Sequence, residues 1–413
     1  MDGYFRKTIK GVGWVGGVRV VLRSIGVLKI VILAHFAILS KAQFGVYGIA
    51  TMVLALLELL TESGINVFLI QEKDEINKYI NTAWVVSILR GILIALLIVL
   101  STPLVVSFFH SEDSYPLLML VALIPFIRGF INPSVVKFQK ELTFNKDFIY
   151  KSLTYFTEFI FSVSLAIITR SPIALIIGLL VSAVVEVVIS FFLVHPRPSF
   201  EFDVSQIKKI LHKGKWVTGF GIFDYVFSQG DNIAVGRMLG EAPLGVYDNA
   251  YTLSMTPITE IVGVLYQVTF PVYVKISKEK GRLLAAFWKT FAVSSVLVTL
   301  LSMTIFLFAR PIVLILFNET WIDAIPVIQV LCFVGLVRGL TLSVNALFMA
   351  LEKQKYVTTI TFLNMIGILV TVAPLVSRYG LIGAGFAALI GTIIAIPVEL
   401  YYFMKVSKEL RND

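Results

Sequence analysis

Apolar residues run in long uninterrupted stretches along almost the whole chain, parted by short polar patches rich in Lys and Arg. One crossing of a bilayer takes about 17 to 25 apolar residues of helix, and the stretches have that length. Backbone in contact with lipid must satisfy its own hydrogen bonds, which leaves helices and closed barrels as spanning structures. Barrel strands alternate apolar and polar positions, whereas these runs are continuous and predict helices. The pattern predicts about twelve spans, near 12–39, 44–66, 82–109, 116–137, 147–169, 173–194, 216–239, 244–272, 284–309, 324–349, 356–377 and 381–404. The expected fold class is an all-α polytopic membrane protein.

Composition strengthens that reading: 57% of the 413 residues are hydrophobic and 15% are charged, against about 25% charged in an ordinary soluble domain. So much apolar surface exceeds what one soluble core hides. A single cysteine, Cys332, excludes an intrachain disulfide and a thiolate metal cluster. Arg6, Lys7 and Lys10 precede an apolar run that Arg19, Arg23 and Lys29 interrupt, with no small-residue cleavage site after it, so the first helix is expected to be a retained span.

The net charge of +9 raises the question of a nucleic-acid partner, and its placement answers against one. Basic residues cluster on alternate loops, among them Lys73, Lys137, Lys140, Lys208, Lys209, Lys278, Arg282, Lys353 and Lys408. The opposite loops carry little beyond Lys41, Arg170, Arg310 and Arg378. By the positive-inside rule both termini are expected in the cytoplasm, in a multi-pass protein of the cytoplasmic (inner) membrane.

The chain also repeats itself. "LSKAQFGVYGIA" at Leu39–Ala50 returns as "LGEAPLGVYDNA" at Leu239–Ala250, with Leu39/Leu239, Ala42/Ala242, Gly45/Gly245, Val46/Val246, Tyr47/Tyr247 and Ala50/Ala250 identical. Trp14 with Trp216, Pro103 with Pro311 and Arg128-Gly129 with Arg338-Gly339 recur at drifting offsets, as loop insertions would cause. The expected organisation is an N-terminal six-helix half over 1–195, a cytoplasmic linker over 196–215 and a C-terminal six-helix half over 216–413. An even number of spans makes the two repeats parallel, a transporter architecture with the substrate path between them. The doubled motif is expected at the turn between the first two helices of each half, the Gly closing the turn and the Tyr at interfacial depth.

"LIQEKDEINKYINTAWVVSILRG", "GDNIAVGRMLGEAPLGVYDNAYTLSMTPI" and "FPVYVKISKEKGRLLAAFWKT" resemble the polysaccharide-transport, Wzx-like flippases. That family belongs to the multidrug/oligosaccharidyl-lipid/polysaccharide (MOP) exporter superfamily, which also holds lipid II flippases and MATE drug antiporters. The resemblance implies a V-shaped MOP/MATE-like fold and movement of a polyprenyl-diphosphate-linked oligosaccharide from the cytoplasmic to the external leaflet by alternating access, for cell-surface polysaccharide synthesis. It implies as partners the lipid-linked glycan and the bilayer, with glycan polymerases or transferases as further candidates. We expect a monomer.

Charge inside the spans supplies the candidate site. Each Arg at a helix centre costs roughly 2.5 to 3.5 kcal/mol on insertion scales, so Arg19, Arg23, Arg90, Arg128 and Arg338 need a use or a partner. Arg19 and Arg23 stand four apart on one helix face. Several cations in a water-poor place suit a diphosphate, through charge-assisted and often bidentate bonds. Glu58, Glu62, Glu158, Glu186 and Glu260 also fall within spans, so pairing that holds helices together is the competing role, and Lys29 and Arg237 belong nearer to it. On the seventh span Asp224 and Asp231 stand seven apart. With Tyr225, Gln229 and Asn232 they are candidates for sugar binding or for a coupling proton or sodium ion, against structural charge balance.

"GVGWVG" at Gly11–Gly16 lacks the strand-turn-helix setting of a dinucleotide loop, and His35, His110, His195 and His212 lack metal-ligand spacing. No cofactor, metal or direct use of ATP is expected. The rival function is a MATE-like cation-coupled antiporter of small organic cations. A membrane glycosyltransferase or polymerase ranks below it, since external loops of a few residues leave little room for an acceptor, and the chain is expected not to be an enzyme.

Overall fold

The structure, a computed structural model, describes residues 21–411 except 62–64, 66–67, 70–75 and 142, with side chains described for all of these but 144, 208–222, 224 and 411. Every regular element among the described residues is a helix: α1 (21–35), α2 (Lys41–Leu60), α3 (Asn77–Phe109), α4 (Ser114–Val121), α5 (Leu123–Arg128), α6 (Lys137–Lys140), α7 (Phe144–Thr169), α8 (Ile173–Leu193), α9 (Val204–Leu239), α10 (Glu241–Lys275), α11 (Lys280–Leu307), α12 (Ala309–Leu316), α13 (Ala324–Ala350), α14 (Gln354–Ile394) and α15 (Ile396–Arg411). Eight of the described helices are long and apolar enough to cross a bilayer, nine if one bent pair counts as a span. Leu104, Ile168 and Phe192 are more than 70% exposed on them, an arrangement stable only against lipid. The protein is a multi-pass membrane protein.

Local chemistry sets the boundaries. Ser40 caps α2 in a box with Gln43: the Ser40 hydroxyl accepts from the Gln43 N–H, and the Gln43 side chain accepts from the Ser40 N–H. Asp203 begins α9 by accepting from the Ser205 N–H at 2.7 Å, and those bonds hold its carboxyl below the usual range. More than half of the stretch expected as a linker, 204–215, is therefore helix, continuous with the segment expected as the seventh span.

The stretch expected as one span over 116–137 is bent by 75° between Ser114–Arg128 and Pro133–Lys140. Pro133 has no N–H to donate and keeps the preceding residue extended; Asn132 has φ −66° and ψ 114° and caps the next turn through the Ser134 N–H. Its amide also donates to the carbonyls of Val194 and Pro196, which fastens the bend to the end of α8. Further on, Gln354–Leu410 runs 57 residues, about twice a bilayer's helical length. It turns at Gly380 (φ 57°, ψ −135°), between the expected spans ending at 377 and beginning at 381.

Packing divides the chain into two compact units. The first is built on residues within Gly13–Ile222 together with Gly240–Gly245, the second on Phe223–Leu239 and Val246–Asp413. Val46, Ala50 and Leu54 of α2, Ile94 and Ile98 of α3, and Leu117 and Leu118 of α4 form the core of the first. Leu283, Phe287, Leu347, Phe348, Ile360 and Val406 form that of the second.

The doubled glycines are not in turns. Gly45 and Gly245 lie inside α2 and α10 in the first unit, where a Cβ on Gly45 would stand 1.9 Å from the Glu241 carbonyl oxygen and one on Gly245 would stand 2.0 Å from that of Lys41. Each glycine thus admits the backbone four residues before its counterpart. Gly240, with φ 92°, is the residue that makes the second turn. Tyr247 is fully buried rather than interfacial.

Candidate functional site

Three arginines in this chain are followed by glycine, and in each case the glycine brings a neighbouring element close. A Cβ on Gly91 would lie 2.3 Å from the Pro125 carbonyl oxygen, and one on Gly129 would lie 3.0 Å from that of Ser87. α3 and α5 therefore pack backbone to backbone, and Arg90 and Arg128 line the same space. Gly339, beside Arg338, instead admits side-chain methyl groups, those of Val298 at 2.8 Å and Val262 at 3.4 Å from a Cβ placed there.

In the first unit this packing leaves a cavity of about 630 Å³. Its charged lining is three cations, Arg90, Arg128 and Lys151, and three carboxylates, Glu58, Asp147 and Glu186. The cations are held in different ways. Arg90 spans the end of α2, its Nε donating to the Thr61 carbonyl at 2.8 Å and its Nη2 to that of Glu58 at 2.6 Å; this is a helix C-terminus satisfied by a guanidinium. Lys151 meets Asp147 one turn before it at 2.7 Å. Arg128 stands between two acids from different helices, 3.3 Å from Glu186 and 3.8 Å from Glu58. The 3.3 Å contact is made by its buried Nε, which meets Glu186 as an ion pair outside hydrogen-bond geometry. The charge of Arg128 is thus compensated by contacts that are not aligned hydrogen bonds.

Lys29, expected nearer to a structural role, is buried and bonded to Glu158 on α7, with the Tyr47 ring 5.7 Å away. Arg23 is exposed on α1. Arg19 lies outside the described residues, as does the side chain of Asp224.

The second unit holds the other candidates. Asp231 is fully buried; one carboxylate oxygen accepts from the Tyr247 hydroxyl at 2.9 Å and the other from the Asn232 N–H at 2.9 Å. The Asn232 amide donates to Gln229 at 2.7 Å. Arg338 lies 4.1 Å over the Phe227 ring, donates to the Tyr251 hydroxyl at 2.9 Å, and also has a buried Nε without an acceptor. Tyr225 is half-buried on the same helix as Asp231. Arg338 and Asp231 thus come together with Tyr247 and Tyr251, whereas Arg90 and Arg128 share the cavity of the first unit. Sequence reasoning did not place Gln139, Asp147, Tyr150 and Lys151 at that cavity; the recurring Arg-Gly doublets were the available signal.

A family model described as "Polysaccharide biosynthesis protein" matches residues 32–326. The chain belongs to that family. Among relatives, the lipopolysaccharide biosynthesis protein WzxC of Escherichia coli is 25% identical over 346 residues, covering 83% of this chain and 70% of its own. In solved structures, the lipid II flippase MurJ in an inward closed conformation superposes with a TM-score of 0.77 at 15% identity, covering 95% of this chain and 89% of that one. An inward-facing MATE-family multidrug resistance transporter of the MOP superfamily gives 0.73 at 15% identity, covering 96% and 99%. The fold is the one these exporters share, which bears out the fold class expected from the apolar pattern and the resemblance.

Proposed function

We propose that the chain is a flippase that moves a polyprenyl-diphosphate-linked oligosaccharide from the cytoplasmic to the external leaflet of the inner membrane, with both termini in the cytoplasm and no catalytic step. The observation that carries this reading is Arg128: a guanidinium lining the cavity of the first unit, set by α5 and the Gly91–Pro125 contact and held by ion pairs rather than aligned hydrogen bonds. Membership of a polysaccharide biosynthesis family supports it, as does the relative named for lipopolysaccharide biosynthesis. The diphosphate binds at Arg128, Arg338 serves the same chemistry in the second unit, and Arg19 and Arg23 draw the headgroup in. Asp231, Asn232, Gln229 and Tyr225 hold Arg338's surroundings in shape. An inside-negative potential favours export, since each charge is worth roughly 2.3 kcal/mol per 100 mV.

The test is translocation of a fluorescent short-chain polyprenyl-diphosphate sugar in proteoliposomes, for the wild type, Arg128→Ala and Arg19→Ala/Arg23→Ala. Movement by the wild type that either substitution reduces at least about tenfold is expected; movement that neither alters removes the cationic reading. The balanced charge of the cavity favours one rival, exchange of small organic cations at Glu58, Asp147 and Glu186. Proton-driven exchange of a cationic dye, with no movement of the glycan lipid, would establish that rival.

A further inference from the structure

We infer that the segment 196–204 is an interfacial anchor: Phe200, Phe202 and Val204 lie in lipid at the membrane–water boundary and hold this edge of the first unit at a fixed depth. The occupant of that apolar edge is the bilayer, and the anchor is independent of what the cavity carries.

The chain is not helical between 194 and 203, and alternate residues of it are fastened to the start of α3. The Ser199 N–H donates to the Asn81 side-chain oxygen at 3.1 Å, and the Asn81 amide donates to the Ser199 hydroxyl at 2.8 Å and to Glu201 at 3.2 Å. Two residues on, the Asp203 N–H donates to the Thr82 hydroxyl at 3.1 Å. Successive side chains of an extended chain point to opposite faces. Fastening 199, 201 and 203 therefore turns 200, 202 and 204 outward. Phe200, Phe202 and Val204 are 71%, 60% and 59% exposed, an apolar row that water solvates poorly.

What covers the row follows from where the segment starts. α8 has 21 residues, about 31 Å of helix, which matches the hydrocarbon core of a bilayer. Its last turn faces lipid, with Phe192 73% and Leu193 41% exposed, and the segment leaves it at that boundary. Asn81 and Thr82, which hold the segment, stand where the span expected over 82–109 begins. The apolar row thus continues the lipid-facing surface of α8. Its surroundings are those of an interface. The Trp84 indole N–H donates to the Phe130 carbonyl at 3.0 Å, and its ring lies 4.6 Å from Phe200 and 6.1 Å from Phe191; rings with one polar end gather at interfacial depth. Charge is sorted by sign as well. Glu201 is engaged by Asn81 and Asp203 by the cap of α9, both on the protein side. Arg197 is exposed and donates to the Phe191 carbonyl at 3.3 Å, and Lys137 donates to that of His195 at 2.7 Å. Cations beside outward apolar side chains are what an anionic lipid surface attracts.

The experiment is a depth measurement on the full-length protein in vesicles of phosphatidylethanolamine and phosphatidylglycerol. A nitroxide is attached at Phe202→Cys in the Cys332→Ser background. Its relaxation by oxygen, which concentrates in hydrocarbon, is compared with its relaxation by a water-soluble nickel chelate. Phe192→Cys gives the lipid reference and Asp113→Cys the aqueous one. Expected at position 202 is stronger relaxation by oxygen than by nickel, at a depth of about 5 to 10 Å below the headgroups. Adding Phe200→Ser and Val204→Ser is expected to shift the label toward the aqueous reference. A label that keeps its depth without those two side chains would overturn the anchor. Nickel relaxation equal to that at Asp113→Cys places the segment in water and overturns it too. So does a label shielded from both reagents, which would show that protein covers the row. Should Phe202→Cys fail to reach the membrane, Phe200→Cys reads the same depth and decides on the same terms.

Discussion

Tyr47 and Tyr247 occupy the same place in the doubled motif, and each meets a charged residue of the preceding helix within its own unit. For Tyr47 that residue is Lys29, joined to Glu158; for Tyr247 it is Asp231. One framework thus carries a cation in one copy and an anion in the other. Arg128 and Arg338 diverge likewise, the first among carboxylates and the second among aromatic rings and a tyrosine hydroxyl. Two outcomes are expected for single side chains. Removing one partner of the buried Lys29–Glu158 pair strands the other charge, so Lys29→Met lowers stability by about 3 kcal/mol. Adding Glu158→Leu recovers most of that loss, as thermal unfolding in detergent will read. At Asp203, bonds from Ser205 to the charged carboxyl lower its pKa in the fold. The stabilisation is present above the unfolded pKa and is lost as pH falls through the folded value. The protection factors of the Ser205 and Gln206 amides, taken relative to their intrinsic exchange rates, will fall on acidification in the wild type, and Asp203→Asn, which keeps a cap, will abolish that fall.

At the scale of elements, glycine sets the distances. A methyl group on Gly45 or Gly245 would stand 1.9 or 2.0 Å from a backbone carbonyl oxygen that no side-chain rotation moves. Alanine at either position costs about 1 to 3 kcal/mol through forced backbone shifts and lowers the unfolding temperature. Gly178 is a comparison: its nearest obstacle, at 2.0 Å, is the Ser162 hydroxyl, with backbone atoms of Ser162 and Glu158 at 2.9 and 3.0 Å, so Gly178→Ala with Ser162→Ala still costs backbone adjustment but is tolerated better than Gly45→Ala. The bend at Asn132–Pro133 acts in the same sense on the cavity. It ends the helix that carries Arg128 and brings Gln139 to the lining.

For the molecule as a whole, the testable property is orientation. Cys332 is buried and is the only cysteine, so Cys332→Ser provides a background for single reporters. The positive-inside rule expects Lys137, Lys140 and Arg197 on the cytoplasmic side, and on that expectation Ser199→Cys will react in intact cells only with a permeant maleimide. Asp113→Cys, beyond the other end of α3, will react with an impermeant one. The reverse pattern would invert the topology and with it the direction proposed for transport.

The all-α membrane class and most span positions were legible in the sequence because solvation by lipid acts on every residue of a span: a run of apolar side chains has one stable use, and its length is measured against the bilayer. The repeat was legible as well, since duplicated turns and helix starts keep their residue types. The break near Gly380 could be placed for the same local reason. Where a charged side chain ends up is decided by elements far apart in the chain. Glu186 reaches Arg128, and Glu158 reaches Lys29, through helix packing that neither segment encodes alone. The doubled glycine and tyrosine show the same limit. The sequence by itself determined that they recur; only the tertiary structure decided that the glycines admit a neighbouring backbone and that Tyr247 holds a buried carboxylate, because close approach and burial belong to pairs of helices and not to either one.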